Sequence, residues 1–154
     1  GSVMKSNEFK KILLDAIDKE VESYTFYTAS AERISDAALK TIFKELAEQE
    51  TMHRKTLQAY LSGDKKELKF DEVKDYKLSE LIESPPLTTE MKPLDGLKLA
   101  IKKEEDAKNM YEKLAEASID ADQKKVFQEL AKMELGHKAR LEDIYTNSAF
   151  VEAW

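Results

Sequence analysis

Glu50-Thr51-Met52-His53 recurs as Glu134-Leu135-Gly136-His137. These two Glu-x-x-His tetrads hold the only two histidines in the 154-residue chain, and they stand 84 residues apart. Residues three apart on a helix leave nearly the same side, about one turn from each other. Each tetrad can therefore aim one carboxylate and one imidazole at a common point.

The offset of 84 extends well beyond the tetrads. Between Leu13 and Leu57 the first copy pairs, without a gap, Ala16 with Ala100, Ile17 with Ile101, Glu20 with Glu104 and Tyr27 with Tyr111. Phe43 pairs with Phe127, Glu45 with Glu129, Leu46 with Leu130 and Ala47 with Ala131. Two copies are too few for a solenoid, which needs three or more. Duplication of a helical hairpin into a four-helix bundle fits.

Each copy reads as two helices. Leu13, Ile17, Val21, Tyr24 and Tyr27 recur at spacings of three and four in the first, and Ile42, Leu46, Leu57 and Tyr60 share a face of the second. Ser35-Asp36 offers an N-cap between them, and Gly63 suits the end of the second helix. The third helix is predicted to begin near Pro93-Leu94-Asp95, since proline is tolerated in a first turn, and to carry Leu97, Ile101, Tyr111 and Leu114. The fourth follows Asp120 and carries Val126, Leu130, Leu141 and Ile144.

The repeat halves thus span about 6–61 and 93–145. A crossover at 62–92 joins them, with a candidate short helix over 71–83 and Pro85-Pro86 after it. A connection this long is uncommon inside a compact domain unless it has a topological task. Carrying the chain from one end of a bundle to the other is such a task. The other reading is a linker between independent hairpins, but a lone hairpin buries too little surface to stand alone. The expected organisation is one helical domain over 5–147 and a C-terminal tail over 148–154.

Glu20 and Glu104 interrupt apolar stripes, each thirty positions before the glutamate of a tetrad. Four buried carboxylates would cost several kcal/mol each without compensation. Two divalent cations would offset four negative charges and leave the site near neutral. In di-iron carboxylate bundles, one Glu from each of two helices joins Glu-x-x-His from each of the other two.

On these residues the chain resembles the ferritin-like di-iron carboxylate proteins, and most closely the helical domain of rubrerythrin, over roughly Lys5 to Asn147. The resemblance implies an all-α, ferritin-like four-helix bundle with a long crossover. It implies a metal set of Glu20, Glu50, His53, Glu104, Glu134 and His137, through which catalysis would run. Glu50 and Glu134 would bridge two irons; Glu20 and His53 would complete one, Glu104 and His137 the other. Manganese or zinc could substitute. Tyr27 and Tyr111, two turns after Glu20 and Glu104, would hydrogen-bond the ligand carboxylates.

Two departures from the family pattern are visible. Rubrerythrin proper carries an iron–thiolate module, which a chain without cysteine cannot form, so electrons for a peroxidase would come from an external donor protein. An extra carboxylate one turn after the third-helix ligand is replaced by Ala107, and Glu105 points about 100° away from Glu104. The remaining six ligands resemble a symmetric ferritin-type ferroxidase centre.

Composition narrows the alternatives. The absence of cysteine excludes disulfides, zinc fingers, iron–sulfur clusters and thiol catalysis. A net charge of −6 with interleaved signs offers no basic groove for nucleic acid. No apolar run suits a membrane span. Gly1-Ser2 reads as a cloning remnant before Met4, and the N-terminus shows no secretory pattern, so a cytoplasmic location is expected.

The leading expectation is a di-iron protein, forming a homodimer, that reacts with peroxide or dioxygen. Iron storage or trafficking without turnover is the alternative, and a structural helical module with an inactive site is the third reading. Blander readings stand beside the sharp ones: Tyr24, opposite Lys108 in the repeat, as packing; Glu32, Glu116, Glu45 and Glu129 as exposed helix faces; Gly136 as simple tolerance, against a close helix or a substrate path.

Overall fold

The computed structural model describes residues 6–70, 77 and 93–151, with the side chains of 93–94 and 147–151 excepted. The expected short helix over 71–83 falls outside the described residues apart from Lys77, whose φ of 56° is not that of a right-handed helix. Most of the 62–92 crossover, Pro85-Pro86 and the end of the tail also lie outside them.

Among the described residues the regular elements are four α-helices: α1 (Ser6–Arg33), α2 (Ala37–Ser62), α3 (Pro93–Ala117) and α4 (Ala121–Val151). The chain divides into two compact units, Ser2–Lys69 and Phe70–Trp154. In the first, α1 packs on α2; in the second, α3 packs on α4. The offset of 84 is visible in the boundaries themselves. Arg33 and Ala117 end the leading helices, and Ala37 and Ala121 begin the following ones.

The turns explain that register. Asp36 is extended and accepts a hydrogen bond from the Leu39 N–H, closing the start of α2. Asp120 does the same for the Gln123 N–H at the start of α4. At the other end of α2, Gly63 takes φ 88° and gives its N–H to the Tyr60 carbonyl, while Lys65 N–H reaches Ala59 O. A left-handed residue there favours glycine, which has no Cβ to clash.

The buried positions of α1 are Leu13, Ala16, Ile17, Glu20, Tyr27 and Ala31. Val21 and Tyr24, expected on that stripe, are 42% and 44% exposed. Val21 lies 100° round from Glu20, at the shoulder of the apolar face. Tyr24 is on the inward side by angle, but it borders a cavity. The stripes of the other helices hold as expected at Leu46, Leu57, Leu97, Ile101, Tyr111, Val126, Leu130, Leu141 and Ile144, all buried. Helix α4 continues through Val151, into the stretch expected to be tail.

Candidate metal centre

In the first hairpin, α1 presents Glu20, and α2 presents Glu50 and His53 one turn apart. Their ligand atoms lie within 4.8 Å of one another. Both glutamates are fully buried, and the His53 side chain is 24% exposed. His53 Nδ1 stands 3.7 Å from Glu20 Oε2.

The second hairpin repeats the arrangement. Glu104 comes from α3, and Glu134 and His137 from α4, again with ligand atoms within 4.8 Å of one another. Here all three are buried, His137 to 1% exposure. Its Nδ1 lies 3.5 Å from Glu104 Oε2 and 3.9 Å from Glu134 Oε2.

These separations can be tested against metal binding. An N–H···O hydrogen bond usually spans about 2.7–3.2 Å, shorter than any of the three. Two ligands about 2.1 Å from one ion, at an angle of about 110–120°, stand about 3.5 Å apart. The imidazole–carboxylate pairs lie close to that second spacing. Two carboxylates and one imidazole make a donor set suited to iron, manganese or zinc. Each hairpin therefore offers three convergent donors of the right chemistry, and the residues fit a metal.

Tyr27 and Tyr111 are both buried. The Tyr27 ring packs edge-on to Phe26, with centroids 5.6 Å apart, and lies 6.1 Å from Phe43. Glu32, Glu116 and Glu45 are exposed, as ordinary helix-face residues. Glu129 departs from that reading. It is buried, accepts the Phe70 N–H at 3.0 Å and pairs with Lys132 Nζ at 2.9 Å. It anchors the chain where the crossover begins. At Gly136 no atom of the described residues lies within 4 Å of the place a Cβ would occupy.

The family model for rubrerythrin matches residues 11–145. The chain belongs to the rubrerythrin family. A solved structure of a hypothetical protein from Pyrococcus furiosus is 30% identical, covering 90% of this chain and 88% of that one, with a TM-score of 0.58. A comparison with curated proteins finds no match. Membership makes the fold class that of the ferritin-like four-helix bundles, and both Glu/His triads fall inside the matched rubrerythrin span. None of the described helices is long and apolar enough to cross a membrane.

Sequence reasoning missed one charged group in this rubrerythrin relative. Lys138, next to His137, is fully buried. Its Nζ lies 3.0 Å from Glu105 Oε2 and 3.4 Å from Glu142 Oε2, and Glu142 is buried too. The i,i+4 spacing of Lys138 and Glu142 was an available signal. The stronger one was a break in the repeat: position 105 is Glu where position 21 is Val.

Proposed function

We propose that the two Glu/His triads act together as one di-iron centre that reacts with peroxide or dioxygen, within a single helical domain over 5–147. The observation that carries this reading is the recurrence of a convergent Glu, Glu and His triad on both hairpins, at one offset of 84 residues. Glu50 and Glu134 would bridge two metals, with Glu20 and His53 on one and Glu104 and His137 on the other.

When bound, two ferrous ions would supply the two electrons that reduce a peroxide, or begin the reduction of dioxygen. The protein's own part is positional. Each histidine turns Nδ1 toward the carboxylates. The buried glutamates hold their charge away from bulk water, which strengthens attraction to a cation. Tyr27 and Tyr111 would hold ligand carboxylates through their hydroxyls.

Ala107, where rubrerythrin has a further carboxylate, favours a symmetric ferroxidase-type centre over the peroxidase one. Without cysteine the chain has no thiolate electron-transfer centre. Peroxidase turnover would therefore draw on an external donor protein. We place the protein in the cytoplasm as a homodimer. Storage or trafficking of iron through the same ligands is the competing role, and a cage-sized assembly would favour it.

The test is anaerobic ferrous loading with metal counting, followed by separate mixing with dioxygen and hydrogen peroxide, with and without a rubredoxin-like donor. Two irons per chain, oxidised by either reagent, are expected. Glu50→Ala or Glu134→Ala should impair both positions, and His53→Ala mainly one. Two full-affinity metals in Glu50→Ala would sink the bridging assignment. No bound metal in the wild type would sink the whole reading in favour of a structural module.

A further inference from the structure

A cavity of about 260 Å³ opens on the first hairpin. Its lining is Glu20 and Glu50 together with Val21, Tyr24, Thr51 and Arg54. Two of these are candidate ligands and fully buried, while Val21 and Tyr24 are partly exposed. The cavity therefore leads from solvent to the carboxylates. It has room for several water molecules.

The internal repeat supplies a control within the same molecule. The wall residues Val21, Tyr24, Thr51 and Arg54 correspond, 84 positions on, to Glu105, Lys108, Leu135 and Lys138. On the second hairpin three of these are joined by ion pairs. Lys138 Nζ lies 3.0 Å from Glu105 Oε2, and Lys108 Nζ lies 3.6 Å from Glu105 Oε1. Val21 and Tyr24 in one copy are thus replaced by Glu105 and Lys108 in the other, where ion pairs cross-link the wall. The ligand triads are alike, but their surroundings are not.

We propose that a small neutral or anionic oxidant reaches the centre through the Val21–Tyr24–Thr51–Arg54 cavity, and that the equivalent face of the second hairpin is sealed by Glu105, Lys108 and Lys138. This rests on the di-metal reading above and adds direction to it. Arg54 sets a permanent positive charge in the same lining as the Glu20 and Glu50 carboxylates, so the route admits a small anion as well as neutral dioxygen or hydrogen peroxide.

The test uses cobalt-loaded protein with azide as the probe, read as the rate of the absorbance change on mixing. Cobalt content at equilibrium and melting temperature are measured alongside. Tyr24→Trp fills the cavity from its exposed wall. Val21→Glu with Arg54→Lys copies the Glu105–Lys138 pair of the second hairpin onto the first. Both should keep two cobalt ions per chain and slow azide association at least tenfold. Leu135→Trp, an enlargement on the second hairpin at the counterpart of Thr51, should leave the rate within twofold of wild type. Unchanged association in both first-hairpin variants at full cobalt occupancy would overturn the route. So would equal slowing by Leu135→Trp, or no azide binding to the loaded wild type. Failure of the wild type to bind cobalt would instead count against the di-metal centre.

Discussion

Asp36 and Asp120 stand 84 residues apart, and each accepts a hydrogen bond from the backbone N–H three residues on, at 2.9 Å in both cases. The duplicated hairpin therefore turns the same way twice for the same reason. Asp36→Ala and Asp120→Ala should each lower stability by about 1 kcal/mol, as loss of a helix N-cap does. Equilibrium urea unfolding measures both. Asparagine in either place should restore most of the loss, because its side-chain oxygen accepts the same bond.

Lys138 and its repeat counterpart Arg54 should respond unequally to removal of charge. Lys138→Met removes the ammonium that lies 3.4 Å from the buried Glu142 carboxylate, and breaking a buried pair this way costs about 3–5 kcal/mol. Arg54 is only partly buried. Arg54→Met should cost less than about 1 kcal/mol. Thermal unfolding of the two variants side by side gives the comparison, and equal losses would mean that the buried pair is not holding the second hairpin.

Gly136→Ala should stabilise the protein by roughly 1 kcal/mol, because alanine is the better helix former and the space for a Cβ is open. Gly63→Ala should go the other way, since φ 88° suits glycine. Denaturant midpoints of the two variants should move in opposite directions.

Loading with metal should raise the melting temperature. A ligand that binds only the folded state stabilises it by about 2.7 kcal/mol at a hundredfold excess over its dissociation constant. Metal competes with protons for carboxylate and imidazole, so affinity and the melting gap should both shrink as pH falls. Replacing Glu20 and Glu104 together with Leu should shrink the gap at neutral pH and raise the melting point of the metal-free form. Calorimetry with chelator and with iron measures this. Identical melting points for loaded and empty wild type would count against the metal site.

Much of this was legible from the chain itself, because the repeat supplied a second copy of every key observation. The tetrads, the glutamates thirty positions before them, Asp36, Asp120 and Gly63 all act locally, within a turn or a helix face. What was not legible depends on packing. Tyr24 has the angle of a core residue but borders a cavity, and no periodicity distinguishes the two. Glu129 looks like its exposed counterpart Glu45, yet it is buried and accepts the Phe70 N–H, a partner 59 residues away. No local pattern marks Lys138 as buried, since burial of a charge is decided by partners such as Glu105 on another helix.

The unequal cover over the two histidines carries a consequence of its own. A metal beside His53, 24% exposed, would meet water and chelators directly, whereas one beside His137, 1% exposed, would be shielded. Residence times would then differ although the donor sets match. The sheltered ion would be retained while the other exchanged with whatever metals surround the protein.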